Sequence, residues 1–411
     1  MQWAGRVFGN ADIDISGVWI KKCVYGGGEY ASLGTITDST RHTGAAQWAL
    51  SWPYEFEYAP ETGLVDIDMT GGRLGITGKD VMGPYAYRKH GEEWVLVPVD
   101  GNGNELVEDT QPYKDARVDN GDIYGGGKGL AGESYRMAHL ANVRATDIFI
   151  KYNTLNVDPT NYKKKPSAAK GCITGAVYGG GENGHVNDST TVHLTKGLVG
   201  HAIYGGGKGK DTYLAEGANT TASLVPTYSL TAGKVYGNTK VIVDGASKTD
   251  AYVVRSVFGG GNTASVGKGN YTDIPYGSPI SPTYAETGGD PNGSGLCTVT
   301  ITGGTLGMLP KKSSDGTVDP EDVLKDGIPY GSVFGGCRGL LESSAFGESY
   351  SNTESRLSFV NNTNVTIGKT NGGSDATLLI YGSVYGGAQD GHVRCNTDVT
   401  KIGRASCRER V

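Results

Sequence analysis

Cysteine, methionine, tryptophan and phenylalanine are all scarce in this chain, at six, five, five and seven among 411 residues. The cysteines stand at wide, irregular spacing, so they spell out neither a disulfide framework nor a zinc knuckle, and the redox compartment is left open. No stretch approaches the roughly 18 apolar residues of a membrane span, and no charged-then-apolar leader opens the sequence. The chain begins inside a repeat, so the missing leader points to a lost N-terminus and not to the cytoplasm. A surplus of positive charge is missing as well. Lys and Arg total 37 against 43 Asp and Glu, net −6, the wrong sign for a general nucleic-acid or anionic-membrane binder.

Glycine and tyrosine are what the chain has in abundance. Glycine supplies 67 residues, about 16% where about 7% is usual, without the three-residue period of collagen. Much of it falls in one phrase, an aliphatic residue and an aromatic one followed by a glycine run. The aromatic members are Tyr25, Tyr124, Tyr178, Tyr204, Phe258, Phe334 and Tyr385, with a clipped copy at Val7-Phe8-Gly9-Asn10. A short alternating strand precedes most copies, as in Ile13/Ile15, Val65/Ile67/Met69, Ile148/Ile150, Val192/Leu194, Val241/Val243, Val299/Ile301 and Val365/Ile367. Period-two alternation over four or five residues predicts half-buried β-strands. None could bury its apolar face alone, so the expectation is an all-β, parallel β-solenoid or β-helix of short glycine-cornered strands with long loop insertions.

Stacked at one position on successive coils, the seven aromatics would form a structural ladder inside a shared core. The glycines would supply positive φ and close backbone approach at the corners. From Tyr25 to Tyr385 the intervals are 99, 54, 26, 54, 76 and 51 residues. They suggest coils of roughly 26 residues with degenerate members between the phrases, although loop insertions would produce the same numbers. Residues 81–118, 208–235, 268–296 and 308–329 read as insertions, the usual seat of binding function. Lys163-Lys164-Lys165-Pro166 reads as a solvated loop tip, and Glu133–Val143 is the single helical candidate.

Residues 1–401 are expected to be one repeat domain without natural caps, a fragment. Lys401 stands where the repeat asks for an apolar residue. Residues 402–411 resemble translated sequencing-adapter DNA and are set aside as a non-native tail. That tail carries three arginines and one glutamate, so residues 1–401 have net charge −8. It also contains Cys407, leaving Cys23, Cys172, Cys297, Cys337 and Cys395, of which Cys23 and Cys337 lie within repeat phrases as small buried thiols.

Several motifs tempt a chemical reading. Gly127-Lys128-Gly129-Leu130-Ala131-Gly132 matches a dinucleotide loop, but it is one member of a repeat family and no doubly wound sheet surrounds it. Gly368-Lys369-Thr370 lacks the first glycine of a phosphate loop. Gly206–Leu214 fits a calcium nonapeptide once, where such sites need tandem copies. The repeated Gly132-Glu133-Ser134-Tyr135 and Gly347-Glu348-Ser349-Tyr350 lack the glycine of a nucleophile elbow. Asp12/Asp14 and Asp66/Asp68 put paired carboxylates on the outward strand face, as a β-helix glycosidase would, though other copies fill those places with Thr or His. His185, His193 and His201 recur every eight residues without an acidic or thiol partner nearby.

The phrase Val-Tyr-Gly-Gly-Gly, with Gly-His-Val and Thr298–Gly307, resembles the glycine-rich repeats of large secreted or surface proteins of gut Bacteroidales. The resemblance covers nearly all of residues 1–401 and implies a β-solenoid, adhesin-like passenger outside the cell. It supplies no catalytic residue. The expectation is therefore a non-enzymatic stalk or adhesin-like surface with glycans or host-surface proteins as partners. It has no nucleic-acid partner, no membrane span and no cofactor, calcium being the one ion left open. A β-helix polysaccharide lyase or hydrolase is the alternative. It would want insertion loops converging on two or three acidic side chains, with a base such as Lys208 or Lys210 beside them.

Overall fold

Alternating apolar residues and glycine corners dictate strands that pair with the next copy of themselves, and such pairing organises the whole chain. Residues 5–35, 37, 58–76, 85–91, 93–107, 110, 121–129, 141–154, 156–157, 169–209, 212–214, 226–228, 232–268, 274–275, 292–307, 331–339, 358–369 and 377–402 are described in the computed structural model. Every element among them is a strand. Three parallel ladders carry the repeat.

The broad ladder holds Ala11–Ile15, Leu64–Met69, Ala145–Lys151, the first half of Thr190–Val199, Thr239–Asp244, the first half of Leu296–Leu306, Asn362–Ile367 and Thr397–Lys401. The middle ladder joins Trp19–Ile20, Arg73–Leu74, Cys172–Ile173, the second halves of the two long strands, Ala251–Val253 and Leu378–Ile380. The tyrosine ladder joins Val24–Tyr25, Ile123–Tyr124, Val177–Tyr178, Ile203–Tyr204, Val257–Phe258, Val333–Phe334 and Val384–Tyr385. A fourth line of single bridges runs Val143–Val186–Val235–Val266 before the chain re-enters the broad ladder.

The seven glycine phrases occupy seven consecutive rungs, in chain order. This corrects the expectation of roughly 26-residue coils with degenerate members between phrases. Each interval is one unit, lengthened by insertions. The antiparallel pair Tyr85–His90 and Glu93–Pro98 sits between the middle and tyrosine strands of one unit, and Asn156–Val157 pairs Ala169–Lys170 within the next. Thr212–Leu214, Pro226–Tyr228 and Ile274–Pro275 make a small antiparallel sheet from two units. The insertion bounds drawn from composition were too wide. Lys208, Gly209, Val235 and Gly295 belong to the repeat, because their backbone groups bond to neighbouring rungs. Residues 133–140, 163–166, 308–329 and 403–411 lie outside the described residues, as do both Gly-Glu-Ser-Tyr copies; of the helical candidate Glu133–Val143 only Ala141, Asn142 and Val143 are described, and they are not helical.

One continuous core lies between the ladders. Ile67, Ile148, Val192, Val241 and Val299 form one inward column and Met69, Ile150, Leu194, Val243 and Ile301 the next, all within 0% exposure. Each such side chain contributes on the order of 1.5–3 kcal/mol by leaving water. Lys401 stands in register with Ile367 at the end of the second column. In every glycine phrase the aliphatic residue packs in or against this core, whereas the aromatics from Tyr25 to Phe334 belong to a separate cluster with Ala176 and Ala202. Adjacent strand residues point to opposite faces. The expectation of one shared interior is thus corrected: the rings stack on the far side of the tyrosine ladder.

The glycine triplets are explained by closeness and not by a left-handed backbone. Their residues are absent from the positive-φ positions, which fall instead at corners such as Gly72 (φ 87°), Gly304 (φ 100°) and Gly331 (φ 118°). A Cβ on Gly179 would overlap the carbonyl oxygen of Gly205, and one on Gly205 that of Gly259. Only a hydrogen fits between these rungs. Across the interior, the hydroxyls of Thr146, Thr190, Thr239 and Thr363 donate to the carbonyls of Gly179, Gly205, Gly259 and Gly386 at 2.6–2.7 Å. These bonds satisfy acceptors that would otherwise be buried unpaired.

Candidate functional site

Two outward faces repeat at the strand spacing and are the surfaces from which function could arise. On the first, the seven rings Tyr25, Tyr124, Tyr178, Tyr204, Phe258, Phe334 and Tyr385 form one stack. Neighbouring centroids lie 4.8–5.0 Å apart and neighbouring planes within 8°. Strand spacing sets that separation. Tyr124, Tyr204 and Phe258 are buried, and Tyr385 at the last rung is exposed.

The residue after each glycine triplet forms a second column beside the rings: Glu29, Lys128, Glu182, Lys208, Asn262, Arg338 and Gln389. Their backbone amides from Lys128 to Gln389 each donate to the preceding rung at 2.9–3.1 Å. The charges alternate and pair between rungs, Lys128 with Glu29 at 2.6 Å and Lys208 with Glu182 at 3.0 Å. Tyr25 donates to Glu182 at 2.5 Å, Arg338 reaches the Tyr204 hydroxyl at 3.5 Å, and Asn262 bonds the Tyr178 hydroxyl. Asp122 accepts from Tyr124 at 3.0 Å and from the Ala176 amide at 2.7 Å. Burial raises the Asp122 carboxyl above its ordinary range, opposed by the Ala176 amide and Lys208. Burial also drives the phenols of Tyr25, Tyr124 and Tyr178 far upward, so these rings stay neutral. Uncharged, stacked and covered phenols are suited to packing, not to acid–base chemistry. No sequence argument singled out this column, although its place after each triplet and its alternating signs were there to be read.

The second face is the outside of the broad ladder. Asp12, Asp66 and Asp147 stand on three consecutive rungs, with Asp14 and Asp68 beside them. The same two columns continue as Thr191, Lys240, Thr298 and Asn364, and as Phe149, His193, Ile242 and Thr300. Burial first, and then Asp68, Asp12 and Asp14, raise the Asp66 carboxyl. Asp147 is raised by burial and by Asp66, against His193 and Lys240. Where this face turns into the middle ladder, a cavity of about 390 Å³ opens among Lys151, Tyr152, Lys196, Asp244 and Asp250. His193 Nε2 lies 2.8 Å from Asp244, and its ring is 4.9 Å from that of Phe149.

The remaining sequence motifs dissolve into the repeat. The amides of Lys128 and Gly129, which a phosphate would need, donate to Gly28 and Glu29. In the nonapeptide, Gly206, Lys208 and Gly209 are likewise bonded to neighbouring rungs, and Thr212–Leu214 forms an antiparallel pair. Lys210 lies outside the described residues. Gly368 is a corner glycine with φ 99°. His185 precedes a bridge residue, His193 faces out from the broad ladder, and His201 lies between the middle and tyrosine ladders. Among the described residues no group of three or more His, Cys, Asp or Glu is placed to hold a metal. Cys172, Cys297 and Cys337 are buried free thiols, with Cys172 and Cys297 pushed up to about 12 by burial. No helix among the described residues is long and apolar enough to cross a membrane.

No protein family, curated protein or solved structure matches this chain.

Proposed function

We propose that the chain is a parallel β-solenoid from a secreted or cell-surface repeat protein, acting as a non-enzymatic stalk and adhesin-like, glycan-contacting surface. The observation that carries this reading is the run of seven glycine phrases on seven consecutive parallel rungs. A stack of this kind is rigid along its axis and presents the outer residues of each rung as a regular array. The resemblance to glycine-rich repeats of Bacteroidales surface proteins supports the same reading and the extracellular placement. The outer broad-ladder face supports a binding role, because its residues change in chemical class from rung to rung while the core columns stay apolar.

Retention of the full chain on immobilised polysaccharides tests this. Saturable retention without release of new reducing ends is the expected result; new reducing ends would overturn the non-enzymatic reading. Protease accessibility on intact cells making the full-length product tests the surface placement. A polysaccharide lyase or hydrolase is the second reading, favoured by one observation. The corner cavity gathers two lysines and two aspartates, the residue types such chemistry uses.

A further inference from the structure

The corner cavity holds two lysines that form no ion pair with its two aspartates. Lys151 and Lys196 are register partners on neighbouring strands, and both line the cavity. Like charges placed directly opposite one another destabilise a sheet. The aspartates of the same cavity are engaged elsewhere. Asp244 meets His193 at 2.8 Å, and Asp250 accepts from the Ser247 hydroxyl at 2.7 Å. Among the described residues neither lysine forms an ion pair, and Lys151 stands over the Phe149 ring at 5.7 Å. The strand pairing is irregular on both sides of the cavity, between Leu194 and Lys196 and between Val243 and Asp244. Such irregularities redirect side chains and are concentrated beside binding sites. Tyr152 lines the cavity too, and its buried hydroxyl has no hydrogen-bond partner among the described residues.

We propose that this corner binds an acidic sugar residue, its anionic group held between Lys151 and Lys196. Two lysines in register at one cavity, neither in an ion pair among the described residues, suit an anion. Asp244 and Asp250 line the same cavity and offer acceptors to the sugar's hydroxyls. A uronate carboxylate and a sulfate ester share the required chemistry. The assignment rests on the glycan-contacting reading above and narrows it to one place and one charge class.

Calorimetry on the full chain tests it with three probes: hexagalacturonate, a chondroitin sulfate hexasaccharide and neutral maltohexaose. At least one acidic probe should bind, more weakly as ionic strength rises, and which one binds separates carboxylate from sulfate. K151Q/K196Q, with circular dichroism unchanged, should weaken that binding by about tenfold or more. Both side chains reach solvent, so K151Q and K196Q singly serve if the pair disturbs folding. Equal binding of the neutral probe, or acidic binding that survives the double variant, would overturn the corner assignment and leave a glycan-contacting surface elsewhere. Failure of all three probes to bind would overturn both.

Discussion

The tyrosine face and the outer broad-ladder face share one chain, one rung spacing and one direction of strand pairing, yet they are filled by different rules. On the tyrosine face an aromatic ring, Tyr or Phe, returns at every rung, the hydroxyls are met by Glu182, Asn262, Arg338 and Asp122, and the neighbouring charges cancel in pairs. On the broad face the residue at a given column passes from Asp to Thr to Lys to Asn. Three carboxylates lie side by side there with nothing between them. A position repeated unchanged reflects a packing demand that every rung must meet. A position free to change carries no such demand, and so recognition can differ there from rung to rung.

Six substitutions test that contrast, each costly one beside a milder control where the fold offers it. Gly205→Ala pushes a methyl group into the Gly259 carbonyl and should cost roughly 3 kcal/mol or more in chemical denaturation. Gly387→Ala, where nothing lies within 4 Å, should be close to neutral. Equal costs at the two sites would break the close-approach account. Tyr204→Ala opens a gap in the buried stack and should cost about 3–5 kcal/mol, whereas Thr298→Ala on the broad face should stay within about 0.5 kcal/mol. Tyr204→Phe should be mild, since Phe258 and Phe334 already occupy equivalent places. Thr190→Val strands the buried Gly205 carbonyl and should cost about 1–3 kcal/mol by the same measurement.

The smallest effect is a pH dependence. Burial and then Asp68, Asp12 and Asp14 raise the Asp66 carboxyl, and burial and then Asp66 raise that of Asp147, so the folded chain holds protons that the unfolded chain has released. Stability should therefore fall as pH rises from the ordinary aspartate range through their raised values. Asp66→Asn should raise the melting temperature at neutral pH, only slightly because solvent screens partly exposed carboxylates, and the gain should vanish in acid, where the carboxyl is protonated in both states. A gain that persists at low pH would mean that packing, not charge, sets it.

Strand positions and the inward columns were legible because alternation such as Val65/Ile67/Met69 has only one half-buried arrangement. The stack of rings follows from an aromatic placed at one offset in each phrase. Three things were not legible. Unit length was misjudged because Tyr85–Pro98 and other insertions fall inside units, and an interval does not distinguish an insertion from a degenerate rung. The face of the rings was misjudged because burial of tyrosine reads as core, whereas its neighbour Val177 takes the interior and turns Tyr178 outward. The triplet glycines were given to positive φ as well as to close approach; only the close approach holds, and it is made with residues 26 to 99 positions away. The corner cavity escaped because Lys151, Lys196 and Asp250 converge only once the register is known.

That each glycine phrase is a single rung is tested most directly by cross-linking. Thr298 and Asn364 are register partners on the outer broad face, 66 positions apart in sequence. Neighbouring strands lie about 4.8 Å apart, within reach of a disulfide. Thr298→Cys with Asn364→Cys should oxidise to an intramolecular disulfide detectable by peptide mass spectrometry. Thr191→Cys with Thr298→Cys, two rungs apart, should not. A bond in the second pair, or none in the first, would contradict the account.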